Sequence, residues 1–370
     1  AQSARQGLAA VARWANRSPW QAVLLVQVLV LASYAPALLY SGFLMDDTVA
    51  IERNPNVMSE RMSFAEFMRR DFWGLPMHGS GWTNKSFRPL TTLTYRWNYL
   101  LHGLESSGFH ITNVLLHCLA SMLVGRTAEL VLGLPGSWAA VGAVLFGVHP
   151  VHTENVLYLV GRADVLSALF GALALNCYAW LFCPPSSLEL ATDASGAVAS
   201  ASGAGSRAWG SWALPLPVLL VVASGLCKEI GFTIFAIFML MELLDFLTAH
   251  SAAARKGLWL PMREWRRTRL RVLLLVASTL MVFVARYRHT GGTSLNMSPQ
   301  DNPISFETSR LVRILSYSYL HGVYAKLLCW PKFLCYDYSM DAIPAVRTPL
   351  DCRLLLPLAA YAGFLAAVTA

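Results

Sequence analysis

Charge is what this chain has least of. Only 14% of its 370 residues are charged, where soluble domains carry about 25%, and 55% are hydrophobic with a positive mean hydropathy. That balance excludes an ordinary water-soluble globule and implies an integral membrane protein. Paired cysteine spacing is also missing. Cys118, Cys177, Cys183, Cys227, Cys329, Cys335 and Cys352 are odd in number and include no CxxC, so neither a zinc site nor a disulfide framework is signalled, although the last three are near enough in sequence for one bridge. The net charge of +8 does not indicate nucleic acid, because the densest basic stretch, Arg255 to Arg271 (RKGLWLPMREWRRTRLR), lies between apolar runs and interleaves Trp and Leu. That pattern fits a juxtamembrane segment on anionic membrane lipid.

What the chain has is apolar runs. A bilayer core needs about 20 apolar residues per helix, and candidate spans fall near 20–40, 109–132, 138–151, 163–183, 209–227, 230–248, 271–287 and 354–370. The last run reaches Ala370 still apolar, so a longer natural protein is expected. Arg5, Arg13 and Arg17 precede the first span without an acid among them, which holds the N-terminus in the cytoplasm. Alternation then makes the basic loop 249–271 cytoplasmic and puts the first large loop, 41–108, on the far side. Residues 184–208, small and polar, form a flexible cytoplasmic linker. Residues 288–353 form a second large far-side segment, whose aromatic run Ser316 to Ser339, broken by Pro331 and mixed with Lys326 and Lys332, suggests helices in the membrane interface.

Four polar constellations land on that far side. They are Asp46-Asp47 after span one; WTNKSFRPLTTLTYRWN (Trp82 to Asn98) with Lys85, Arg88 and Arg96; HPVHTENVLYLVGRADVL (His149 to Leu166); and CKEIG (Cys227 to Gly231). Ionisable groups at membrane depth are expensive and mark sites or pathways. Carboxylates beside fixed cations suit the deprotonation of a hydroxyl while a phosphate is held. Two adjacent acids also repel, so one has a raised pKa or a cationic partner. Each cluster alone has a structural reading: an acidic helix flank for Asp46-Asp47, an incomplete ligand set for His149, His152 and Glu154, an ion pair for Arg162 and Asp164, a polar turn for Lys228-Glu229. Their coincidence carries the functional argument.

The stretches FLMDDTVAIERNPNV, RDFWG, NKSFRPLTTLTYRWNYLL, HITNVLLHCL, VHPVHTENVLYLVGRADVLSALF, CKEIGFT and DNPISFETSRLVRILSYSYL, in this order, resemble the membrane half of the TMTC (transmembrane and tetratricopeptide-repeat-containing) protein O-mannosyltransferases. The resemblance runs from about residue 40 to 345. It implies an all-α polytopic membrane protein with a GT-C glycosyltransferase-like bundle, resident in the endoplasmic reticulum membrane with a luminal site. It implies dolichyl phosphate mannose as donor and Ser/Thr hydroxyls of cadherin-like luminal proteins as acceptors. By that resemblance Asp46 and Asp47 are the catalytic acid/base pair. Arg88, Arg162 and Lys228 are assigned to the donor phosphate, and His149, His152, Glu154, Asp164 and Glu229 to substrate binding or support. No cofactor is required on this reading and a divalent metal is not expected, nor is a nucleic-acid partner. The 34-residue repeats of that family are absent from these residues, as in a fragment or a member without the array; the alternative function is a non-catalytic endoplasmic reticulum scaffold or binding protein retaining the GT-C fold. Sequons occur at Asn84 and Asn296 on the far side.

Overall fold

The computed structural model describes residues 19–39, 42–78, 83, 85–182, 210–255, 262–292, 298–335, 337–340 and 342–369. The three N-terminal arginines, Cys183, the linker 184–208 and both sequon asparagines lie outside them. Among the described residues the chain is helical with no strand, an all-α polytopic membrane protein. The longer helices, numbered in chain order, are α1 (Pro19–Tyr34), α2 (Pro89–His102), α3 (Ser106–Leu130), α4 (Gly136–Gly147), α5 (Arg162–Phe182), α6 (Pro215–Cys227), α7 (Ile234–Arg255), α8 (Met262–Thr290), α9 (Arg310–Cys329) and α10 (Leu355–Thr369).

Four segments are long and apolar enough to cross a bilayer: Ser106–Leu130, Leu159–Phe182, Glu229–Ser251 and Trp265–Thr290. The other four expected spans are shorter apolar helices; α4, at 12 residues, rises only about 18 Å, well short of a hydrocarbon core. The basic loop expected at 249–271 is largely helix, since α7 runs to Arg255 and α8 begins at Met262. Arg271 is not a loop cation at all. It is buried, with its Nε 2.9 Å from the Glu242 carboxylate that Tyr178 also hydrogen-bonds. An ion pair in apolar surroundings holds only when both members are present, so it pins α5, α7 and α8 together.

Two compact units divide the chain. The first holds residues 1–149 and 155–293, the second 150–154 and 294–370. In the first, three apolar clusters form the core. Val26, Val30, Tyr34, Val114 and Ala143 join α1, α3 and α4. Tyr178, Val221, Phe235, Phe238 and Leu275 join α5 to α8. Ile51, Phe72, Tyr95, Phe109 and Leu159 fill the space under the first large loop. Leu273, Leu280, Met281 and Phe283 of α8 stay exposed, as side chains facing lipid do. In the second unit α9 packs on α10, Ser316 Oγ accepts the Val346 N–H at 2.9 Å, and Arg353 is held by Asp351 and the Pro344 carbonyl.

The break between α6 and α7 positions charged groups. Lys228 ends α6 in an extended conformation (φ −152°, ψ 140°) and a 3-10 turn, Glu229–Thr233, follows. Gly231 is needed inside that turn, because a Cβ there would lie 2.6 Å from the Gly225 backbone nitrogen. Gly231→Ala is therefore expected to destabilise the protein by about 1–3 kcal/mol, read as a lower thermal unfolding midpoint in detergent; an unchanged midpoint would show that the turn has room.

Candidate functional site

The site is assembled on the turn that follows the first apolar helix. Met45 has a left-handed backbone (φ 46°), and the Asp47 N–H closes the turn on Leu44 O at 2.8 Å. A π-helical turn, Thr48–Glu52, comes directly after. Strained φ/ψ and π turns concentrate at functional sites because only surrounding structure can hold them.

The turn separates the two acids. Asp47 is buried, at 1% exposure, and its carboxylate accepts the N–H groups of Leu44 at 3.0 Å and Val160 at 2.9 Å. Burial pushes its pKa up to about 6 against the opposing pull of those backbone donors, and the charge of Asp46 is the smallest contribution. The expected repulsion between neighbours is thus the lesser cause. Asp46 is exposed, and its N–H donates to the Tyr158 hydroxyl at 3.1 Å. The same hydroxyl bonds the Asp46 carboxylate, and burial beside that charge holds the phenol well above its ordinary pKa.

Arg162, expected at a donor phosphate, is instead a structural centre. It has 0% exposure, and its guanidinium donates to Asn113 Oδ1 (2.6 Å), Asn98 Oδ1 (2.5 Å), Thr94 Oγ1 (3.3 Å) and Phe109 O (3.0 Å). The Tyr95 and Phe109 rings lie 4.7 and 5.6 Å from it. It has no surface to offer a ligand. Tyr95 donates to Leu159 O at 2.9 Å and lies within electrostatic reach of Asp47, Arg88, Arg162 and Asp164 at once.

The accessible cations form a rim. Pro89 opens α2, so Arg88 stands just before it in a non-helical conformation. Its Nε is 3.0 Å from Glu229 Oε2, while Arg286 of α8 reaches Glu229 Oε1 at 2.9 Å. Lys228 donates to both oxygens of Asp164 at 2.7 and 2.6 Å, each side chain about a third exposed. Thr91 Oγ1 ties α2 to Cys227 O at 2.9 Å. The four polar constellations of the sequence are therefore joined by direct bonds into one cluster.

Not every expected residue takes part. Lys85 donates to Gly291 and Gly292 carbonyls past the end of α8, and Arg96 to the Asn56 and Val57 carbonyls. His152 and Glu154 belong to the second unit, and His149 follows the last turn of α4; the bonds described above are made without these three. Among the described residues no three His, Cys, Asp or Glu side chains gather as a metal set. Asp71 of RDFWG is a buried turn-former, accepting from Trp73 N, Leu75 N and Thr83 Oγ1. Arg286 and Tyr158 were missed by the sequence reading; Arg286 sits near the end of a long apolar run where it reads as a helix-flanking charge.

Two outcomes follow. Arg162→Lys removes the planar fork and leaves neutral acceptors unmet, with an expected loss of at least about 3 kcal/mol, seen as loss of protease resistance; retained resistance would refute the structural role. For Asp47, a folded pKa near 6 against 3.8 unfolded favours the protonated native state. Its stabilising contribution is full below about pH 4 and is lost as pH rises through about 6, by at most ~3 kcal/mol. Asp47→Asn, fixed in the neutral form, should flatten that part of the pH profile of the unfolding midpoint; an unaltered slope excludes Asp47 as its source.

The family model described as Protein O-mannosyl-transferase TMTC, DUF1736 matches residues 291–365. Protein O-mannosyl-transferase TMTC4 of Mus musculus is 32% identical over 361 residues, 91% of this chain and 46% of its own length. Protein O-mannosyl-transferase Tmtc1 of Drosophila melanogaster is 33% identical over 89% of this chain and 35% of its length, and Protein O-mannosyl-transferase TMTC2 of Homo sapiens 33% over 88% and 36%. No solved structure matches. The chain spans less than half the length of these relatives, and over that span it belongs to the TMTC family.

Proposed function

We propose that this chain is the membrane-embedded catalytic part of a protein O-mannosyltransferase with a GT-C arrangement, using dolichyl phosphate mannose as donor and Ser/Thr hydroxyls of luminal, cadherin-like proteins as acceptors. The observation that carries the reading is an exposed carboxylate, Asp46, on a strained turn bonded into the same cluster as Arg88, Lys228 and Arg286. The relatives' names supply the reaction class.

The chemistry divides along exposure. Asp46 takes the proton from the acceptor hydroxyl as its oxygen attacks the anomeric carbon of mannose. The bond from that carbon to the phosphate oxygen breaks, and negative charge gathers on the phosphate. Arg88, Arg286 and Lys228 stabilise that charge. Asp47, held by Leu44 and Val160, fixes the turn, and Tyr158 orients Asp46. Because Glu229 and Asp164 already pair with the three cations and leave one net positive charge, phosphate competes with them for the guanidinium and ammonium groups. The fixed cations do the electrostatic work without a resident metal, and the site faces the lumen of the endoplasmic reticulum.

The ion-paired resting rim also favours a second reading, a non-catalytic membrane scaffold that keeps the fold. Binding of dolichyl phosphate mannose separates the two. In a membrane assay with labelled donor, Asp46→Asn is expected to lower transfer by about 10²–10⁴-fold, and Arg286→Gln by about 10²–10³-fold, with insertion and folding retained. Full transfer by Asp46→Asn would remove the base assignment. Activity lost to chelator and restored by manganese would make the acids metal ligands instead.

A further inference from the structure

Away from the charged cluster, α1, α3 and α4 enclose an apolar groove of about 550 Å³, within the roughly 300–1,000 Å³ range of ligand sites. Small side chains keep it open: Ala22 on α1, Gly125 on α3, and Ala139, Ala140 and Ala143 on α4. Its polar lining is sparse. Gln27 donates to the Cys118 carbonyl at 3.2 Å, so its amide is already engaged. At one edge Arg126 and Glu129 form an ion pair at 2.5 Å, with the Arg126 side chain 54% exposed.

The groove is separate from the site. α3 gives Phe109 and Asn113 to Arg162, and Arg126 lies further along the same helix by 13 residues (126 − 113), about 20 Å at 1.5 Å per residue. A leaflet's share of the hydrocarbon core is about 15 Å, so groove and cluster are separated along α3 by more than the depth of one leaflet.

We propose that this groove binds one acyl chain of a zwitterionic, amine-bearing phospholipid of the phosphatidylethanolamine type, with its headgroup over the Arg126–Glu129 pair. Hydrocarbon matches the lining, and charge selects the headgroup. A guanidinium has five N–H donors, one of which serves Glu129, so Arg126 can also take the lipid phosphate. Glu129 takes the ammonium. An anionic headgroup would meet Glu129 with no compensating charge. The bound chain fills the space beside α1, the helix that leads into the Asp46–Asp47 turn, and so steadies that turn. The inference does not depend on the transferase reading.

The test uses the purified full chain in detergent, titrated with phosphatidylethanolamine, phosphatidylglycerol or a polyprenyl phosphate, with native mass spectrometry and the thermal midpoint as readouts. Phosphatidylethanolamine is expected to give a one-to-one adduct and the largest midpoint rise. Ala140→Phe, which fills the groove, should abolish the adduct. Glu129→Gln, on the exposed edge, should fold normally and weaken phosphatidylethanolamine binding by roughly tenfold, which keeps the proposal testable if Ala140→Phe does not fold. Equal effects of all three lipids, a preference for phosphatidylglycerol or polyprenyl phosphate, or an adduct unchanged in Glu129→Gln would overturn it.

Discussion

A guanidinium without exposed surface is tolerated only when its donors meet oxygens, and Arg162 meets them on two neighbouring helices. Asn98 and Thr94 come from α2, Asn113 and Phe109 from α3, while Arg162 itself begins α5. All four of those partners are neutral, so the arrangement keeps a full positive charge inside the protein, within electrostatic reach of Asp47. Desolvating such a charge is costly unless geometry is nearly complete. The three helices are consequently held in one relative register. That register sets the Leu159–Gly161 turn, whose Val160 N–H anchors Asp47, and the anchor in turn sets Asp46. A displacement of Arg162 would reach the Asp46–Asp47 turn through the Val160–Asp47 hydrogen bond.

The two adjacent acids illustrate how one step along the chain can divide labour. Asp47 faces inward, takes backbone donors and titrates high because burial outweighs them. Asp46 faces outward beside Tyr158. On the proposed reaction the base needs access to solvent and substrate, and of the two acids Asp46 is the exposed one. The cations divide in the same way: the buried one, Arg162, serves architecture, and the partly exposed ones, Arg88, Lys228 and Arg286, are paired with acids at the rim.

Much of this was legible in the sequence. Eight apolar runs became eight apolar helices, and the four polar constellations met. The reason is that ionisable residues in an apolar chain are informative wherever they stand. What could not be read was depth. A helix start such as VGRADV gives no sign that Arg162 points into a nest of Asn and aromatic side chains while Asp164, two residues on, reaches Lys228 at the rim. His149 closes the first stretch of one unit, while His152 and Glu154 lie in the short segment Pro150–Glu154 that groups with the other, a division that the continuous motif does not announce. Arg286 and Glu242 were overlooked because single charges near or within apolar runs read as flanks, and only the fold supplies their partners.

The buried pair Glu242–Arg271 gives the same principle a second use. It lies 13 residues (242 − 229) along the chain from Glu229, about 20 Å of helix, and it joins α5, α7 and α8 below the rim. Arg286 stands on α8 and Glu229 at the head of α7, so the distance between these two rim residues depends on how α7 and α8 are aligned. Apolar contacts alone permit helices in lipid to slide, since tails are as apolar as Leu. One ion pair with a Tyr hydroxyl fixes the axial register. Each end of this bundle thus relies on a buried arginine, Arg162 for α2, α3 and α5 and Arg271 for α5, α7 and α8.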